Sequence, residues 1–130
     1  MAISVAWYDD TQTIVQWVFP AHWTWTDYDE AQAASNALLA SVDYTVDIIG
    51  DLTASSGLPP MALTTYKNTL RRSVDNTGLI VLVGGSFFIK TMVSALKAVV
   101  PSTTPGTDFA FADTVEAAEA LIRQRQAARQ

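Results

Sequence analysis

Near the start of the chain, two apolar stretches are parted by a short polar one. Residues 5–8 and 13–19 are apolar, β-branched and aromatic stretches, the composition that suits a pleated, half-buried strand. Asp9-Asp10-Thr11-Gln12 parts them, and short polar side chains of this kind favour a tight turn. The pattern predicts a β-hairpin. In its second strand Val15, Trp17 and Phe19 share one face, while Ile14, Gln16 and Val18 share the other, so both faces are expected to be largely covered.

Beyond Pro20 the period lengthens. Thr24 or Thr26 can cap a helix that carries Asp27, Asp29 and Glu30 at its positive end, with Tyr28, Ala31, Ser35, Leu38 and Val42 as its inward stripe. Residues 46–52 read as a short strand built on Val46, Ile48 and Ile49 and ending at Asp51. Pro59-Pro60 opens a second helix, with Leu63, Tyr66, Leu70 and Val74 on its buried edge. Asp75-Asn76-Thr77-Gly78 is turn chemistry and leads into residues 79–83, a continuous apolar run typical of a central parallel strand. Ser86 caps a third helix with Ile89, Met92, Val93, Leu96, Val99 and Val100 on a broad stripe, stopped by Pro101. Residues 109–112 are a last strand. Asp113 or Thr114 then starts a helix with Val115, Ala118, Leu121 and Ile122 inward and an Arg- and Gln-rich end expected to fray.

The order β-β-α-β-α-β-α-β-α implies one α/β domain over residues 1–130: a mixed, mainly parallel sheet of about five strands with about four helices. The hairpin's first strand is expected to be antiparallel and at an edge, residues 79–83 interior, and helices to cover most of one face.

Composition narrows the function. The chain has 130 residues, 49% hydrophobic and 16% charged, enough for a real core without disulfides or metals. It has no cysteine and one histidine, which removes a disulfide framework, thiol catalysis and zinc sites built on several Cys or His ligands. A net charge of −5 speaks against nucleic-acid binding, which needs a basic patch. No apolar run reaches the ~20 residues of a spanning helix. The opening Met1-Ala2-Ile3-Ser4-Val5 lacks a basic segment and runs into Asp9-Asp10, so a soluble, cytoplasmic protein is expected.

Three features together resemble the STAS domains, and in particular their divergent bacterial SpoIIAA-like (anti-sigma-factor antagonist-like) branch. They are the element order, Trp23-Thr24-Trp25-Thr26 opening the first helix, and Asp51-Leu52 closing the third strand before a loop with Ser55-Ser56-Gly57-Leu58. The resemblance implies the SpoIIAA fold and a non-catalytic regulatory module that acts through protein contacts. In the antagonists an Asp-Ser-Ser-Gly-Leu segment holds a serine phosphorylated by a partner kinase, and Ser56 is the matching position. This chain departs from that segment: Ala54 replaces the aspartate, the loop is several residues shorter, and Pro59-Pro60 follows. Residues before proline are pushed out of the helical region, so the second helix is expected to begin near Pro60 and not at the serines.

Other candidates have two readings each. Ser55 and Ser56 lie after a parallel strand and Asp51 at its end, the side where open α/β sheets place ligands; the alternative is a surface loop whose acid bonds its own backbone. Gly84-Gly85-Ser86 is either an anion cradle or a tight strand-to-helix connection without the spacing of a P-loop. His22 has no serine or acid spaced to suggest a catalytic partner, so a loop histidine beside Trp23 is expected. Asp27, Asp29 and Glu30 fit a helix's acidic first turn better than a metal cluster. Trp7, Trp17, Trp23 and Trp25 build either a core between hairpin and first helix, or a partner surface or apolar ligand cleft.

The expectation is thus a regulatory or protein-interaction module with no enzyme activity, catalytic residue, cofactor or metal. The alternative is a binder or sensor of a small apolar ligand such as a lipid, held between the aromatic N-terminal region and the third helix. The apolar excess of that helix predicts a homodimer contact through Met92, Leu96 and Val99.

Overall fold

The hairpin forms where the two apolar stretches and their polar turn place it: β1 (Ser4–Trp7) and β2 (Ile14–Val18) pair antiparallel, with Val5 opposite Trp17 and Trp7 opposite Val15. Asp9 holds the turn by accepting the Thr11 N–H at 3.1 Å, and Gln12 takes the left-handed conformation (φ 54°) that closes it. This computed structural model describes residues 2–56, 74–84, 90, 91, 94, 98 and 108–129. Among them three further strands, β3 (Val46–Asp51), β4 (Thr77–Val83) and β5 (Phe109–Ala112), complete a five-stranded sheet in the order β1-β2-β3-β4-β5. β2 to β5 are mutually parallel, so β1 is the antiparallel edge and residues 79–83 are interior.

Helix α1 (Trp25–Ala40) starts at Thr24, the first of the two threonines that could cap it. The Thr24 side chain accepts the Asp27 N–H at 3.1 Å and the Asp27 carboxylate accepts the Thr24 N–H at 2.9 Å, a reciprocal capping box. Its buried residues are Tyr28, Ala31, Ser35 and Leu39. Leu39 replaces the expected Leu38 because the stripe steps by four after Ser35; Leu38 and Val42 are half-buried beside it. On this face α1 packs mainly against β1 and β2, in a core cluster that also holds Val15, Trp17, Ile48, Ile80 and Phe109.

Helix α2 (Val115–Arg129), capped by Thr114, covers the opposite face. Ala118 and Ile122 meet Ile14, Ile49, Leu79, Val81 and Val83, all nearly inaccessible. Helices therefore lie on both faces, where the sequence led us to expect cover on one. Leu121, expected inward, is instead exposed.

The end of α2 is anchored, not frayed. Asp47, 0% exposed, lies on the α2 side of β3 and accepts four hydrogen bonds: from the Leu79 N–H (2.8 Å), Gln126 Nε2 (3.0 Å), and Arg129 Nη1 (3.0 Å) and Nη2 (2.7 Å). A buried carboxylate is tolerated only when paired and hydrogen-bonded in this way. The same bond holds the Arg129 guanidinium above its usual range. Arg123 adds a second tie, from Nη2 to Asp9 at 2.7 Å.

The second expected helix, from near Pro60 to Val74, falls outside the described residues but for Val74, which is half-buried and not helical; residues 57–73, 85–89 and 99–107 are not described. Of the third, Lys90, Thr91, Ser94 and Ala98 are helical and exposed, the side opposite the expected apolar stripe; Met92, Leu96 and Val99 lie outside the described residues. Among the described residues no helix is long and apolar enough to cross a membrane.

Candidate functional site

Three parallel strands end together at one edge of the sheet. Phe19 N–H, just past β2, donates to Asp51 O at 3.0 Å; Leu52 N–H, past β3, donates to Val83 O at 2.9 Å; Gly84 N–H, past β4, donates to Ala112 O at 3.2 Å. This is the carboxyl end, where loops of an open α/β sheet converge. Gly84 is at φ +72°, and a Cβ there would stand 3.0 Å from Thr53 Cα, so glycine lets β4 exit against the β3 loop. Its N–H is engaged by Ala112, which leaves it no part in an anion cradle. Gly85 and Ser86 lie outside the described residues.

Asp51 serves its own loop. One carboxylate oxygen accepts the Thr53 N–H at 3.0 Å and the Thr53 hydroxyl at 2.6 Å, a turn that reverses the chain after β3. Ser55 N–H then donates to Leu52 O at 3.0 Å, and Ser55 Oγ accepts the indole N–H of buried Trp23 at 3.0 Å. Ser55 is thereby half-buried, an anchor for the aromatic cluster below. Ser56 differs: it is exposed.

Ser56 joins two loops. Its N–H and its hydroxyl both donate to Ala21 O, at 3.0 and 2.7 Å, and His22 Nδ1 lies 3.3 Å from its Oγ. Because the hydroxyl proton points to the Ala21 carbonyl, Oγ is left to accept the proton of the Nδ1–H tautomer of His22. The pair is a clamp between the exits of β2 and β3. A serine nucleophile would instead hand its proton to the imidazole. The Ser56–His22 contact, 34 residues apart in the chain, was not visible in the sequence.

The remaining candidates divide. Asp27 is part of the capping box, and the Thr24 N–H holds its carboxyl below the usual aspartate range. Among the described residues no three His, Asp or Glu side chains are grouped to hold a metal ion. The aromatics form a core, with Trp17 and Tyr28 centroids 5.3 Å apart, Phe19 and Trp23 5.0 Å, and Trp23 edge-on to Trp25 at 5.2 Å.

That core also borders a cleft. Under α1 a space of about 80 Å³ opens to solvent between Trp17, Phe19, Tyr28 and Leu39 on one side and Ile48, Gly50, Ile80 and Leu82 of the sheet on the other. Gln32, Asn36 and Thr77 contribute its polar lining. Neither a protein-family model nor a curated protein matches this chain.

Proposed function

We propose that the protein is a non-catalytic regulatory interaction module of the STAS, anti-sigma-factor antagonist type, switched at Ser56. One observation carries this reading: Ser56 is exposed to a modifying partner, yet its hydroxyl is a working bond between the β2 and β3 exits. Phosphorylation removes that donor and adds nearly two negative charges. The Ala21 carbonyl keeps only the Ser56 N–H, while His22 Nδ1–H is placed to donate to a phosphate oxygen. The switch is thus an exchange of partners within the loop pair, which alters the surface a protein partner reads without unfolding the sheet beneath. The reading includes helices over the second and third apolar stripes, a cytoplasmic location, and self-association through Met92, Leu96 and Val99.

Ser56→Asp and Ser56→Ala test it. Both should cost about 1 kcal/mol or less, the net worth of the exposed hydroxyl bond to Ala21, and leave the fold intact. Ser56→Asp should release a native partner that the parent and Ser56→Ala retain. Equal retention by both variants refutes the switch.

The cleft under α1 favours a second reading, a binder of a small apolar ligand, because its walls are mostly apolar and it opens to solvent.

A further inference from the structure

Among the described residues β1 has a neighbour, β2, on one side only. The bonds around it fix which of its backbone groups face outward. Tyr8 N–H donates to Ile14 O at 2.8 Å, whereas Thr13 O and Phe19 N–H are engaged on the β3 side, by Asp47 N–H at 3.1 Å and Asp51 O at 3.0 Å. Even-numbered residues of β2 therefore face β1, and by the register Ser4, Ala6 and Tyr8 are the residues bonded to them. The N–H and C=O groups of Val5 and Trp7 point the other way, out of the edge of the sheet.

Such an edge is a template for another extended chain, and proteins blunt it with charges, prolines or bulges. Ser4-Val5-Ala6-Trp7 has no charge and no proline, and its pairing with β2 runs without a register shift. The edge is also self-complementary. Against an antiparallel second copy with Ala6 on the two-fold axis, Val5 meets the partner's Trp7 and Trp7 meets the partner's Val5. Every outward group of both strands is then bonded; within β1, a shift of two residues either way keeps one of these pairs and loses the other. The side chains agree with this register. Val5 and Trp7 lie half-buried on the α1 face, so each copy sets a β-branched side chain beside an aromatic one, a favourable cross-strand pair. On the other face Ser4 and Ala6 are exposed, and the axis carries two methyl groups.

From the outward groups and the uncharged, self-complementary edge we propose that two copies of this chain pair antiparallel through β1, with Ala6 on the axis, into one continuous sheet. Few bonds hold the pair, so the dimer is weak and forms at high protein concentration. The axis reverses strand direction between the copies, which puts the two Ser56 loop pairs at opposite edges of the joined sheet, both open to partners. The contact is separate from Met92, Leu96 and Val99, and it does not depend on the switch at Ser56.

The chain has no cysteine, so single cysteines report the register. In a non-hydrogen-bonded pair Ala6 and the partner's Ala6 have Cα atoms about 4.5 Å apart, within disulfide reach. Ser4 stands about 13 Å along the strand from the partner's Ser4, beyond that reach. Under mild oxidation Ala6→Cys should cross-link into a dimer and Ser4→Cys should not, although both positions are exposed. Val5→Pro removes an outward donor and spares the β1–β2 ladder. It should weaken self-association at least about ten-fold, by sedimentation from about 10 µM to about 1 mM, and suppress the Ala6→Cys cross-link. The two cysteine variants decide the matter should Val5→Pro not fold. A parent that is monomeric across that range, an Ala6→Cys protein that stays monomeric, or equal cross-linking of both cysteines overturns the proposal. A dimer that folded Val5→Pro leaves unchanged overturns it too, and assigns self-association to another surface.

Discussion

Removing the Arg129 guanidinium isolates the energetic role of Asp47. Arg129→Ala keeps the helix, since alanine is the best helix former, and deletes two charge-assisted bonds of 2.7 and 3.0 Å to a carboxylate that is 0% exposed. Breaking a buried ion pair from one side costs about 3–5 kcal/mol. Two facts place this one at the low end: the Leu79 N–H and Gln126 still donate to Asp47, and the Arg129 side chain is itself 32% exposed, so solvent already screens it. The expected loss is about 3 kcal/mol by that range, or roughly 10 °C in Tm for a chain of this size. Asp47→Asn keeps an acceptor for the Leu79 N–H and removes the charge. In that background Arg129→Ala should therefore cost less than about 1 kcal/mol. Urea unfolding of the four proteins, with unchanged m-values, gives the cycle. A loss below about 1 kcal/mol for Arg129→Ala alone, or equal losses in both backgrounds, refutes the buried-pair account.

Gly84→Ala should destabilise by about 1 kcal/mol or more, because φ +72° strains any side chain and the new Cβ would press on the Thr53 backbone; urea unfolding at the parent's level would contradict this. Two pH effects have opposite signs. Asp9, held down chiefly by the Thr11 hydroxyl, and Asp27, held down by the Thr24 N–H, have folded pKa values below the unfolded ones. Their stabilisation is present above about pH 4 and lost as pH falls through the folded values. Tyr8 is raised by burial and by its bond to Glu119, so its stabilisation is present below about pH 10 and lost as pH rises through the folded value. Denaturation midpoints across both ranges read these slopes, and Asp9→Asn should flatten the acid one.

The elements that local chemistry dictates were readable in the chain. Two apolar stretches around a polar turn marked the hairpin, a threonine cap followed by acids marked the helix start, and the unbroken run at 79–83 marked the interior strand. What depends on distant partners was not. Asp47 sits between Val46 and Ile48 in a strand that reads as apolar, and its cation lies 82 residues away in a helix end whose polarity suggested fraying. An acid inside a β-branched run is itself the signal, since a fully buried carboxylate requires a cation somewhere. The candidate site was half legible. Ser55, Ser56 and Asp51 could be placed after a strand, but period and composition do not tell which serine is buried against Trp23 and which is exposed beside His22. Likewise four tryptophans within 25 residues announced a core, while which buried indole N–H finds a partner, that of Trp23 on Ser55, depends on three-dimensional packing.

The regulatory reading is tested most directly by mapping phosphate on the protein isolated from its native cells and comparing the partner held by each form. The account predicts a single phosphate on Ser56, with a partner bound to the unmodified form and absent from the modified one. Phosphate confined to Ser55 or to other residues, no phosphate at all, or one partner held equally by both forms contradicts it.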